Sequence, residues 1–186
     1  LIPMNDFHGS EYIGEYFKTI AWFSGFTGSA ATLLVTESES FLWTDGRYFL
    51  QAEEQLAGTG IRLMKMGEAD VPTGTAYIAG YLQECKQAGK TLRIGFDGRI
   101  VSAAYVETLQ QEIEKSCGRK AQIEDGKDLA GEIWGAERPA LSKEQIWELP
   151  LSYAGAGRDI KLKAAQIKMQ EQGVDCTFAT MNLFCG

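Results

Sequence analysis

Apolar positions along this chain alternate between two periods, one near 3.6 residues and one of 2, and the switches between them mark its elements. The opening run, 1–4, reads as the end of a strand. Ser10 is placed to cap a helix in which Tyr12, Ile13, Tyr16, Phe17 and Ile20 recur at helical spacing. Small residues over 25–31 predict a turn, and the segments 32–36 and 40–44 predict a β-hairpin around Glu37-Ser38-Glu39. A helix follows with Tyr48, Phe49, Ala52 and Leu56 on its apolar side, ended by Gly58-Thr59-Gly60. Next come a strand over 61–64, a helix over 76–85 that Pro72 introduces and Gly89 stops, and a strand over 92–96. Ser102 caps a helix reaching Lys115, with Tyr105, Val106, Leu109 and Ile113 as its core stripe, and 121–123 forms a short strand. Strands interleaved with helices, with one hairpin among them, predict an α/β fold with a mixed β-sheet flanked by helices.

The pattern weakens after Gly126. Residues 131–157 hold two of the four prolines and no sustained apolar period, and they read as a connector. From Arg158 a new amphipathic helix begins, with Ile160, Leu162, Ala164 and Ile167 as its apolar positions and Gly173 as its stop. A strand is expected over 174–179. Phe178 to Asn182 weakly echoes Leu1 to Asn5, and Leu183-Phe184-Cys185-Gly186 echoes Trp22-Phe23-Ser24-Gly25. The expected organisation is therefore one domain over 1–130, a connector over 131–157, and the truncated start of a second, related domain over 158–186.

One stretch breaks local rules. In Phe41 to Gln51, Asp45 reads as a helix N-cap, which places Gly46 and Arg47 in the first helical turn. Glycine there costs backbone entropy, and a cation there opposes the helix dipole by roughly 0.3–1 kcal/mol. Such conflicts point to function. The plainer alternative is that Arg47 pairs with Asp45 while Gly46 lets the chain turn.

Charge and cysteine content narrow the partners. A formal net charge of −7 argues against nucleic acid, whose phosphates require clustered Lys and Arg. The densest basic run, Lys115, Arg119 and Lys120, is flanked by Glu112, Glu114, Glu124 and Asp125 and reads as a solvated helix end. No apolar run approaches the roughly 20 residues of a membrane helix, so no membrane partner is expected. Cys85, Cys117, Cys176 and Cys185 lack metal-ligand or disulfide spacing and fit a reducing, cytoplasmic compartment. The single histidine, His8, lies two residues from Ser10 with no orienting acid fixed by spacing and no nucleophile elbow, so it reads as an ordinary loop residue. The glycines of 25–29 lack a P-loop Lys-Ser/Thr ending and read as close backbone packing.

The block WTDGRYFLQA, Trp43 to Ala52, resembles the amino-terminal domain of bacterial-type Xaa-Pro aminopeptidases of the creatinase/prolidase superfamily. Ile2 to Tyr12 resembles that family's first strand and loop, and Phe23 to Ala30 its glycine turn, in the family's order and spacing. The likeness weakens after about Ile123, where only Ile133-Trp134-Gly135 to Arg138-Pro139 is distinctive. It implies a mixed sheet likened to a ribonuclease-H-like fold, and a domain that packs near a catalytic pocket and limits access to short peptides. Carried over by position, it implies that Arg47 contacts substrate, with Tyr48 beside it and Asp45 holding the turn. A peptide carboxylate is the expected partner of the guanidinium.

The same resemblance implies a parent that removes an N-terminal residue preceding proline. Its two divalent metal ions, expected to be manganese, are held by two Asp, one His and two Glu of a separate catalytic domain. One histidine cannot supply that set, so no catalytic residue, metal ligand or cofactor site is expected in this chain, and the chain alone is expected to be inactive. It opens at Leu1 without an initiator Met and is expected to be truncated at both ends. Short proline-containing peptides and a homodimer are the partners implied. A stand-alone interaction module of the same fold and a related, prolidase-like dipeptidase or creatine-directed enzyme are the alternatives. The reading frame beyond Gly186 separates enzyme from module.

Overall fold

The computed structural model describes residues 1–91, 93–145 and 147–177. Residues 1–141 form one compact unit, and a second begins at Ser142. The first unit carries two small sheets. In one, β1 (Ile2–Pro3), β2 (Ala31–Val35), β3 (Ser40–Thr44) and β4 (Ile61–Lys65) lie in that order, antiparallel except for the parallel β3–β4 pair. The other pairs β5 (Arg93–Gly95) in parallel with β6 (Gln122–Glu124). The Leu1 ammonium donates to the Gly95 carbonyl over 2.8 Å, and Asn5 Nδ2 donates to the Ile100 carbonyl over 2.9 Å, so the first residues tie the two sheets together.

The predicted hairpin is present and in register. Leu34 opposes Phe41 and Leu33 opposes Leu42, so the period of 2 sorts these strands' apolar residues onto two faces. Thr36 closes the turn: its N–H and hydroxyl both donate to the Glu39 carbonyl, and its Oγ1 accepts the Glu39 N–H. On one face Leu34, Phe41, Trp43 and Met64 pack against α3 (Gly74–Gln87) and α4 (Ala103–Cys117) through Ile78, Leu82, Leu109 and Ile113. On the other, Leu33 and Leu42 meet Ile20 of α1 (Thr19–Ser24) and Ala52 of α2 (Phe49–Gln55). The result is a mixed sheet with helices on both faces, as the interleaved periods predict.

Helix starts follow side-chain caps where the sequence supplies them unopposed. Ser102 Oγ accepts the Tyr105 N–H at 3.2 Å, as predicted, and Thr73 Oγ1 accepts the Ala76 N–H at 3.2 Å, so the helix that Pro72 introduces opens at Gly74. Two predicted caps fail. Ser10 caps no helix; its backbone N–H, with that of His8, donates to Asp6 Oδ1. Gly9 then takes a left-handed turn, and only a single 3₁₀ turn (Glu15–Phe17) precedes α1. Burial alone would raise the Asp6 carboxyl, but these bonds overcome it and hold the group below its ordinary value. Asp45 is likewise not an N-cap, because α2 begins only at Phe49.

After β6 come α5 (Leu129–Trp134) and a 3₁₀ turn (Gly135–Glu137). Asp128 Oδ1 accepts the Gly131 N–H and caps α5. The second unit contains α6 (Leu151–Ala154) and α7 (Arg158–Gln172), and Gly173 ends α7 in the left-handed conformation expected of it. No residue of this unit is buried among those described; Ile160, Leu162 and Ile167 are all exposed. Residues 174–177 form no strand, and Phe178 to Gly186, which carry the internal echo, lie outside the described residues.

Candidate functional site

The turn that leaves β3 is built by its own side chains. The Tyr48 N–H donates to the Asp45 carbonyl at 3.0 Å, closing four residues into a turn. Within it, Asp45 Oδ1 accepts the Arg47 backbone N–H at 3.0 Å and Nε at 2.9 Å, and Oδ2 accepts Nη2 at 2.8 Å. The charge-assisted, two-pronged bond from the guanidinium, together with the Arg47 amide, occupies the carboxylate, so Asp45 turns inward to Arg47 instead of capping the helix. The expected conflict with the helix dipole disappears, since Arg47 precedes α2. These bonds draw the Asp45 carboxyl below its ordinary value and push the Arg47 guanidinium above its own.

Arg47 is 60% exposed even so. Nε and Nη2 hold Asp45, and Nη1 meets no acceptor among the described residues. Tyr48 lies beneath it, with the guanidinium carbon 5.3 Å from the ring centre. Tyr48 is fixed in turn by its hydroxyl, 2.7 Å from Ser29 Oγ, and by the Phe26 ring edge-on at 5.9 Å. A Cβ at Gly28 would come within 2.4 Å of Phe26 and 2.8 Å of Tyr48, so this glycine turn serves close packing. Thr27 completes the support: its N–H donates to Gln55 Oε1, and its hydroxyl accepts from both Gln51 and Gln55. The structure thus brings together Asp45, Arg47 and Tyr48, the three residues singled out from sequence, and leaves one edge of a guanidinium facing solvent.

A second Asp-Gly-Arg turn escaped the sequence reading. Asp97, Gly98 and Arg99 leave β5 with the same three bonds: Arg99 N–H to Oδ1 at 3.0 Å, Nε to Oδ1 at 2.9 Å, and Nη2 to Oδ2 at 2.8 Å. Burial raises the Asp97 carboxyl, and the Arg99 bonds more than reverse it, leaving it below its ordinary value. Arg99 Nη2 also reaches Asp128 at 3.2 Å, and Arg138 Nη1 pairs with the same Asp128 carboxylate. Arg138 sits 3.7 Å over the Tyr16 ring and donates Nε to the Tyr16 carbonyl. The signal was visible: the same tripeptide follows an apolar strand in both places.

Neither turn fits a metal. Among the described residues no group of three or more His, Cys, Asp or Glu could hold an ion, and the carboxylates at both turns are already matched by arginines. His8 is exposed, and its N–H is bonded to Asp6. Among the described residues no helix is long and apolar enough to cross a membrane.

Comparison with known proteins shows the family. The pattern described as Creatinase/Prolidase N-terminal domain matches residues 12–128, a span that includes both turns. The chain belongs to that family. This creatinase-type chain is 38% identical to Aminopeptidase P2 of Arabidopsis thaliana, covering 97% of this chain and 24% of that protein. It is 31% identical to the Probable Xaa-Pro aminopeptidase P of Laccaria bicolor, covering 97% of this chain and 27% of that one. The chain spans about a quarter of the length of these curated relatives. Among solved structures, the X-prolyl aminopeptidase of Caenorhabditis elegans superposes with a TM-score of 0.68 at 31% identity, over 93% of this chain and 27% of that one. That protein is described as a cytosolic enzyme with a di-nuclear active site.

Proposed function

We propose that this chain is the amino-terminal part of a metal-dependent Xaa-Pro aminopeptidase, a hydrolase that removes an N-terminal residue preceding proline. Its role there is to shape substrate access and assembly. Arg47, held by Asp45 and stacked on Tyr48, faces the peptide. The two divalent ions, with manganese as the expected metal, belong to a catalytic domain elsewhere in the parent, since the donors described here do not form such a set. The parent is a cytoplasmic homodimer acting on short proline-containing peptides. Residues from 158 onward open a second related domain, and the apolar positions of α7, exposed in its own unit, are the face that domain would bury.

The observation that carries this reading is the superposition of 93% of this chain on 27% of an X-prolyl aminopeptidase, at a TM-score of 0.68. Proline makes a dedicated enzyme necessary, because the bond before it lacks an N–H and is conformationally restricted. The test is turnover of an Xaa-Pro peptide by the full-length protein and by residues 1–186 alone, each with and without a chelator. Turnover confined to the full-length protein and abolished by the chelator is expected. Metal-dependent cleavage by residues 1–186 would overturn the assignment of this part as non-catalytic.

A further inference from the structure

The bond to Asp45 does not by itself hold Arg47 at one angle. The two side chains are 34 and 60% exposed, and an ion pair at the surface holds its geometry weakly. The pair can tilt as a unit toward or away from the body of the domain. The Tyr48 ring, 5.3 Å from the guanidinium carbon, limits that tilt from beneath. The angle of Arg47 therefore follows the position of the ring.

That position is set by the segment 26–29. Phe26 is fully buried, meets the ring edge-on at 5.9 Å, and donates its N–H to Ser24 Oγ at 3.1 Å. Ser29 Oγ lies 2.7 Å from the Tyr48 hydroxyl. The backbone on both sides of Ser29 is tied down. The Thr27 N–H donates to Gln55 of α2, and the Ala30 carbonyl accepts the hydroxyl of Thr44 at 2.6 Å. Thr44 is fully buried and is the last residue of β3, the residue before Asp45. Ser29 is thus anchored to the same strand end from which the Asp45 turn departs. Ser29 and Tyr48 are only half-buried, so water can replace either partner of their bond at small cost in stability. What water does not replace is a fixed point for the ring.

Resting on the reading of Arg47 as substrate-facing, we infer that Ser29 is a positioning residue for the peptide. Through the Tyr48 hydroxyl it sets the ring, and through the ring it sets the angle of the guanidinium edge that Asp45 leaves open. Ser29 acts only by way of Arg47. Small errors of placement are costly in a substrate site, so loss of this bond is felt in turnover more than in stability.

The test measures kcat/KM on an Xaa-Pro peptide for Ser29→Ala and Tyr48→Phe in the full-length protein, each made alone and in the Arg47→Ala background. Each single variant is expected to lose about threefold to tenfold, less than Arg47→Ala, with the melting temperature unchanged within about 2 °C. In the Arg47→Ala background neither is expected to lower kcat/KM by more than about twofold, because the group they position is gone. A loss of the same size in both backgrounds would overturn the inference by showing that Ser29 acts independently of Arg47. No loss for Ser29→Ala and Tyr48→Phe, beside a clear loss for Arg47→Ala, would overturn it while leaving Arg47 in contact with substrate. No loss for Arg47→Ala would remove the reading on which it rests, and the inference with it.

Discussion

The turns after β3 and β5 share a tripeptide and three hydrogen bonds within 0.1 Å of each other, yet they are put to different uses. The turn itself is a local device: in both places the arginine two residues after the aspartate closes onto it through its backbone N–H and its guanidinium. What differs is what reaches the turn from elsewhere. At Asp97, the segment carrying α5 folds back, and Asp128 and Arg138 convert the turn into a clamp that pins residues 128–138 to Tyr16 and the opening loop. At Asp45 no second ion pair arrives among the described residues, and the guanidinium stays 60% exposed. Identical local chemistry therefore gives a structural clamp in one place and an accessible donor in the other.

The largest effect is expected at the clamp. Arg138→Ala removes a nearly buried partner of Asp128 together with its stacking on Tyr16, and should destabilise the first unit by about 3 kcal/mol in chemical denaturation. A loss below about 1 kcal/mol would mean that the clamp holds nothing. The two glycines sharpen the contrast. A Cβ at Gly98 would stand 2.8 Å from the Asp125 carbonyl oxygen, whereas at Gly46 the nearest atom is Phe49 Cε2 at 3.9 Å. Gly98→Ala should cost about 1–3 kcal/mol. Gly46→Ala should be neutral or stabilising by up to about 1 kcal/mol, because neither φ is left-handed and the unfolded chain loses freedom. Equal melting temperatures for the two variants would break the comparison.

A smaller effect follows from pH. Asp97 is depressed in the folded chain, so its contribution is present above the unfolded value of 3.8 and is lost as pH falls through the lower native value. Asp97→Asn should flatten the acid side of the stability profile, measured by denaturation between pH 5 and about 2. An unchanged slope would show that the carboxylate is not stabilised by Arg99.

The hairpin, the helix stripes and the mixed sheet were legible because each is written in a local period that burial then enforces. Leu33 and Leu42 face one way and Leu34 and Phe41 the other, as alternation requires. Caps were legible only where no stronger donor competed. Ser102 caps its helix, but Asp45 is taken by Arg47, and Asp6 gathers the amides around Ser10. The clamp was hidden for a different reason. Arg138 and Tyr16 are 122 residues apart, and α5 is a six-residue helix whose Leu129 and Ile133 are exposed, so no periodic stripe announces it. At the candidate site the residues were legible and the pairing was the plainer of two alternatives. The free edge, on which the proposed function depends, shows only once the neighbours are placed.

In the proposed function two matching arginines divide the labour between substrate contact and stability. The division is tested most directly by measuring melting temperature and kcat/KM side by side for Arg47→Ala and Arg99→Ala in the full-length protein. Arg47→Ala should lower kcat/KM by about tenfold or more with the melting temperature unchanged. Arg99→Ala should lower the melting temperature, for a loss near 1 kcal/mol, and leave kcat/KM within twofold. The reverse pattern, or the same pattern for both, would contradict it.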